Sequence, residues 1–533
     1  MTTGEILIRN ARIVDGTGAP WFRSDIRIAA GRIASVGTGL AAVGATVIDA
    51  RDRYLAPGFI DAHCHDDLIT LRDPQRLEKI VQGVTTVVVG NCSFSLYPAP
   101  SGSRGPLAEH FGALLGKTED REIFSDFSAY RTALEDKGAA LNVVSLVGHA
   151  ALRLAVMGYE ERPATPAERQ DMQALLARQL EQGAAGLSLG LVYPPSAYAD
   201  EAELVALAET VRDHGKLLTA HIRSYEGGLL TSTDEFLSIV RASGSAGLLS
   251  HLQSAGRPNW GNIPKAIDKI ENARAEGLDV WFDMYPYPAG STYLLQLLPP
   301  SALAGGHAAL VERLSEPTSR EALRRWVEEG SDDPHLQSKV SLIGWENVRL
   351  SAIGVPALKH LEGRSIAEAA KAEAVSAFDL MVRLVVEDGG QTGIVLFQLD
   401  EADLRAACTH RLHLACSDGL PRIGTRPHPR GFGTFPRFAG RLVREGWFPL
   451  EDAVRRMTSA PAGRFGLGDR GVIREGLAAD LVLFTDDIED HATFDDPTRL
   501  AAGVSHVLVA GEPVLLEGQP TGRFPGRMLP RQE

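Results

Sequence analysis

The chain has 533 residues, 54 Lys+Arg against 68 Asp+Glu, a formal charge of −14, 44% hydrophobic and 23% charged residues. This is globular composition rather than that of a disordered or fibrous chain. The acidic balance, with no basic block, argues against nucleic acid or an anionic membrane as partner. No apolar run approaches the roughly 20 residues that span a bilayer. The start, Met1-Thr-Thr-Gly-Glu-Ile-Leu-Ile-Arg, lacks the basic head, apolar run and cleavage site of a signal peptide. Four cysteines (Cys64, Cys92, Cys408, Cys416) are too few for a disulfide scaffold. A soluble, cytoplasmic protein with reduced thiols is expected.

In chain order, residues 6–8, 11–16, 25–37 and 46–50 alternate apolar and polar residues between Gly and Asp breaks, the pattern of short strands. The segments 480–484 and 504–515 repeat it near the other end. Each end is too short to bury a core separately, so residues 1–56 and 464–533 are expected to form one small β-sandwich. Between them, in residues 57–463, short apolar runs alternate with helical stretches, as in βα units around a parallel sheet. Strands are predicted from Gly58, Thr85, Asn142, Gly186, Leu217, Gly247, Val280 and Leu412, with amphipathic helices at 166–182 and 366–387 among them. Eight parallel strands with flanking helices predict an α/β fold of the (β/α)8 barrel type. A ninth candidate strand, 392–397, leaves the count open, and the region from about 295 to 360 fits no βα period and reads as an insertion over one loop.

Several predicted strands end on residues suited to metal or proton chemistry. The first ends in His63-Cys64-His65, the second in Asn91-Cys92, the fifth in His221, the sixth in His251 and the eighth in Asp418. In a barrel these ends converge on one face. A single strand histidine is more often a hydrogen-bonded core residue, and a single cysteine a small buried hydrophobe. Four histidines, a cysteine and an aspartate at such ends together point to a metal, and the donor types favour zinc. The fourth predicted strand, Gly186-Leu-Ser-Leu-Gly-Leu, holds no lysine, and none of the nine lysines ends a barrel strand.

Pro57-Gly-Phe-Ile-Asp-Ala-His-Cys-His resembles the first-strand motif of the amidohydrolase superfamily. Gly83-Val-Thr-Thr-Val-Val-Val-Gly-Asn-Cys, Tyr193-Pro-Pro, Ser250-His-Leu, Asp283-Met-Tyr-Pro-Tyr-Pro-Ala-Gly-Ser-Thr, Ser417-Asp-Gly and His428-Pro-Arg-Gly-Phe-Gly-Thr-Phe resemble the N-acyl-D-amino-acid deacylases, or D-aminoacylases, from about residue 6 to 525. The resemblance implies zinc-dependent hydrolysis of the amide bond of N-acyl-D-amino acids. Many relatives in the superfamily bridge two metals with a carboxylated lysine at the fourth strand. Here the resemblance gives that ligand role to Cys92, with His221 and His251 at a tighter zinc site and His63 and His65 at a weaker second one. Asp418, beside the metal, is the residue type to accept the proton of water and return it to the leaving amine. By resemblance Tyr193 donates to the oxyanion, and Tyr285 and Ser291 contact the substrate's α-carboxylate. His149 reads as structural.

Gln253 stands where family members often carry a substrate-binding lysine, which predicts a bias away from acidic side chains. Arg430 is a candidate anion contact, weighed evenly against a structural salt bridge, with Arg426 and Arg437 as nearby alternatives. Cys64, Ser93 and Leu189 depart from the residues common in the family; Cys64 should point away from the metal histidines. Competing readings are hydrolysis of another amide (a dipeptide, cyclic amide or xenobiotic) on the same site, and a metal-free scaffold.

Overall fold

The computed structural model describes residues 4–531. Residues 1–3 and 532–533, the outermost part of the expected terminal domain and of the signal-peptide reading, lie outside them. Eight core strands occur in parallel: Phe59–Asp61, Val84–Val89, Asn142–Ser145 continued by Val147–Gly148, Gly186–Gly190, Leu217–His221, Ala246–Leu249, Val280–Met284 and His413–Ala415. Each pairs with its sequence neighbour among these eight, in two hydrogen-bonded sets that part at Leu146 in the third strand. Leu146 N–H still donates to Val89 O across that break (2.9 Å). The last strand returns to the first: Asp418 N–H donates to His63 O (2.8 Å) and His65 N–H to Gly419 O (3.0 Å). Nearly all residues of these strands are buried, which explains why they read as continuous apolar runs rather than alternating ones.

The helix Pro166–Gln182 begins on a capping box of Thr165 and Glu168 with Pro166 in its first turn. The single helix expected over 366–387 is two, Ile366–Ala372 and Ala377–Glu387. Ala374 turns left-handed (φ 57°), and Ser376 then caps the second helix by accepting from Asp379 N–H. The ninth candidate strand, Gly393–Phe397, lies outside the parallel set. It pairs antiparallel with Ala289–Tyr293 and Val348–Ala352. Between those two strands runs the insertion, with helices Gly306–Ser315, Pro317–Glu329 and Lys339–Ile343.

Both ends of the chain meet in one nine-stranded sheet. Tyr54–Pro57 pairs antiparallel with Leu481–Glu489, and Glu5–Ile13 with Phe22–Ala29. Ile6, Ile8, Ile26, Ile28, Leu55 and Leu481 belong to a separate apolar cluster there. Gly58 N–H donates to Asp480 O (2.8 Å), tying this sheet to the first core strand. Among the described residues no helix is long and apolar enough to cross a membrane.

Candidate metal centre and active site

The C-terminal ends of the core strands bring His63, His65, Cys92, His221, His251 and Asp418 together, although 355 positions separate the first from the last. Three of them, Cys92 (φ 52°), His251 (φ 35°) and Asp418 (φ 46°), have left-handed backbone. Such conformations cost on the order of 1–3 kcal/mol each for a non-glycine residue and persist only where the surroundings enforce them. Two donor sets form, His63–His65–Cys92 and Cys92–His221–His251, with the atoms of each within 4.8 Å of one another. Cys92 is common to both. Its Sγ lies 3.3 Å from His63 Nε2 and 3.5 Å from His251 Nε2.

The donors fit a metal. Nδ1 of His65, His221 and His251 is buried with no hydrogen-bond partner. Burial pushes the His251 imidazole down to about 4 and His221 well below the usual histidine range, the latter helped by His251 and the Lys339 ammonium, so both are neutral ligands at pH 7. Burial pushes the Cys92 thiol up to about 11, only partly offset by His63. A thiol at about 11 is protonated at neutral pH, and a metal must displace that proton. Titrating zinc into metal-free protein at pH 7.5 should therefore release protons, that of the Cys92 thiol among them. Calorimetry in buffers of different ionisation enthalpy reads this directly, and a buffer-independent heat would rule it out.

The fourth strand's end explains itself at Gly190: a β-carbon there would sit 2.2 Å from Cys92 O. The strand closes onto the cysteine's backbone, leaving no room for a lysine. Cys64 Sγ faces away, toward Val88 O (3.4 Å). Ser93 Oγ meets Ser196 Oγ (2.7 Å), and Leu189 is fully buried in the core. His149 lies 2.8 Å from Glu203, which also holds Arg153 (2.6 Å), a buried trio away from the donors.

Sequence reasoning missed Asp283, next to last in the seventh strand. Its Oδ2 lies 3.3 Å from His63 Nδ1, while Oδ1 accepts from His251 N–H (2.7 Å) and Cys416 Sγ (3.3 Å). A carboxylate behind a ligating imidazole fixes its tautomer and orientation. The available signal was its position, an acid at a strand end like the other site residues.

Asp418 Oδ1 lies 3.3 Å from His65 Nε2, and Oδ2 pairs with Arg430 Nη1 at 2.9 Å. Burial disfavours its charge, but Arg430 and His65 outweigh this and hold its carboxyl well below the ordinary range. Arg430 is fully buried, with its guanidinium 4.3 Å from the Tyr285 ring centroid. It pairs with Asp418, the salt bridge that was the alternative to an anion contact, and is not among the residues lining the cavity over the donors. Arg437 pairs with Asp490 (2.8 Å), and Arg426 donates to Asp495 O.

That cavity is lined by His65, Cys92, His221, His251 and Asp418, and by Tyr193, Gln253, Tyr285, Ser291, Thr292 and Lys339. The Tyr193 ring packs 4.9 Å from the His221 ring, and its hydroxyl lies 3.5 Å from Thr292 Oγ1. Burial raises that hydroxyl well above the usual tyrosine range, so it keeps its proton for donation. Tyr285 Oη donates to Gln253 Oε1 (2.9 Å), and Ser291 Oγ donates to Ile394 O (2.9 Å).

Imidazole and thiol donors around a buried carboxylate, at the ends of parallel strands, are the equipment of a metal-dependent hydrolase. Residues 46–515 match the amidohydrolase family. An N-acyl-D-glutamate deacylase of Alcaligenes xylosoxydans xylosoxydans is 37% identical over 99% of this chain and 96% of its own length, and a D-aminoacylase of the same organism is 35% identical over 99% and 98%. The crystal structure of the N-acyl-D-glutamate deacylase of Bordetella bronchiseptica, complexed with zinc and a phosphonate mimic of the tetrahedral intermediate, superposes with a TM-score of 0.83 at 36% identity, covering 99% of each chain. The chain belongs to the amidohydrolase family, in its D-aminoacylase branch.

Proposed function

We propose that this protein hydrolyses the amide bond of N-acyl-D-amino acids with zinc, releasing a carboxylate and a free D-amino acid. The observation that carries the reading is the meeting of Cys92 with His63, His65, His221 and His251 beside the Asp418 carboxyl. Relatives that are deacylases along the full length support the substrate class. The return of the eighth strand onto the first supports a closed (β/α)8 barrel, and the shared nine-stranded sheet supports one small domain from residues 1–56 and 464–533. Four unpaired thiols are consistent with a cytoplasmic location.

Cys92, His221 and His251 would hold zinc most tightly, with His63 and His65 at a second, weaker position. When bound, zinc supplies Lewis acidity to the scissile carbonyl and to the attacking water. Asp418, with Oδ2 anchored by Arg430, presents Oδ1 to take the proton of that water and pass it to the leaving nitrogen. Tyr193 Oη donates to the developing oxyanion, adding no buried charge. Asp283 keeps His63 in register. Tyr285 and Gln253, joined by their hydrogen bond, form the wall that receives the amino-acid moiety, with Ser291 beside them.

The test is hydrolysis of paired D and L N-acetyl amino acids by the zinc-loaded protein. Turnover confined to D substrates is expected. Turnover of other amides with none of the N-acetyl-D-amino acids would overturn the reading.

A further inference from the structure

We infer that Lys339, delivered by the insertion, holds the substrate's α-carboxylate and selects acyl amino acids over neutral amides; this rests on the hydrolysis proposed above. Any such substrate brings a carboxylate into the cavity. Among the described residues lining it, Lys339 is the sole lysine or arginine. Gln253 is uncharged, and its amide oxygen is taken by Tyr285. Arg430 is sealed behind the wall against Asp418.

Lys339 is built into place rather than reaching in from a free surface. It opens the helix Lys339–Ile343, capped by Ser338. Two residues earlier, Gln337 Oε1 accepts from Gly227 N–H (2.9 Å) and Asn259 Nδ2 (3.2 Å), fastening the insertion to the loops after the fifth and sixth core strands. From the first of these loops Glu226 takes one hydrogen bond from Lys339 Nζ through Oε1. Glu226 Oε2 accepts from Tyr225 N–H and Ser224 Oγ (both 3.2 Å), so the carboxylate that aims the ammonium is itself fixed. The side chain of Lys339 is 18% exposed. An ammonium has three donors; Glu226, which lines the cavity beside Lys339, takes one. A charge-assisted hydrogen bond is about twice as strong as a neutral one, so the substrate's carboxylate gains more here than from Gln253. Glu226 is a positioning residue.

The experiment compares zinc-loaded wild type, Lys339→Met and Lys339→Arg. It uses N-acetyl-D-leucine and the uncharged N-acetyl-D-leucinamide, the latter as alternative substrate or competitive inhibitor. For Lys339→Met, KM for N-acetyl-D-leucine should rise about tenfold or more, the size of a lost hydrogen bond to a charged group. kcat should stay within about twofold, the amide's affinity should not move, and Lys339→Arg should restore most of the loss. An unchanged KM, or an equal loss for both ligands, would overturn the inference. A zinc-loaded wild type inactive on every N-acetyl-D-amino acid would overturn the hydrolase reading and the inference with it.

Discussion

Alanine at Cys92 should strip the protein of nearly all its zinc and its activity, while alanine at Cys408 leaves both intact. The thiol is the one donor shared by the two sets, so its loss reduces each to a pair of imidazoles. Removing a residue that merely orients a ligand typically costs 10–100-fold in metal affinity; removing this ligand should exceed roughly 100-fold. The fold should survive, because the side chain loses one atom and the left-handed backbone at Cys92 is imposed by its neighbours, Gly190 among them. Cys408 is the matched control: equally buried, on the helix Glu401–Thr409, far from any donor set in role. The measurements are zinc per chain by elemental analysis, circular dichroism and turnover. Wild-type zinc content in Cys92→Ala would reject the ligand assignment.

The core strands were legible in the sequence because burial on both faces leaves short uninterrupted apolar runs, and the metal donors because they follow directly on those runs. Leu146 interrupts the third strand's pairing without changing its apolar pattern, so no sequence signal marks it. The break in 366–387 did leave a signal, Ser376 three residues before Asp379, but the apolar periodicity continues across it and dominates. Asp283 was hidden because it acts through other residues, on the His63 ring and the His251 backbone. Lys339 was hidden for a different reason: its partner Glu226 is 113 positions away and its segment has no strand or βα period. Arg430 was placed near the site by its motif, yet only the fold determines that its guanidinium faces Asp418 and not the cavity.

Asparagine at Asp418 should keep the zinc and lose the reaction. Asp418 belongs to neither donor set, so metal content should stay at the wild-type level. What disappears is the group that accepts a proton and returns it, worth roughly 10²–10⁴-fold in rate, and kcat should fall by that amount. Stability should fall too, because Arg430 keeps its charge in a buried place while its partner becomes neutral; breaking a buried pair in this way costs on the order of 3–5 kcal/mol. The pH dependence follows the same logic. A carboxylate held well below its usual range is ionised at neutral pH and loses its charge only as pH falls through that depressed value. The acid limb of the wild-type profile should therefore not lie at the ordinary aspartate position. Arg430→Gln removes the side chain that most favours ionisation, and it should move Asp418 protonation to higher pH and narrow the profile from the acid side. Turnover of Asp418→Asn within about tenfold of wild type, at matched zinc content, would remove Asp418 from the chemistry and leave its pairing with Arg430 as a structural feature alone.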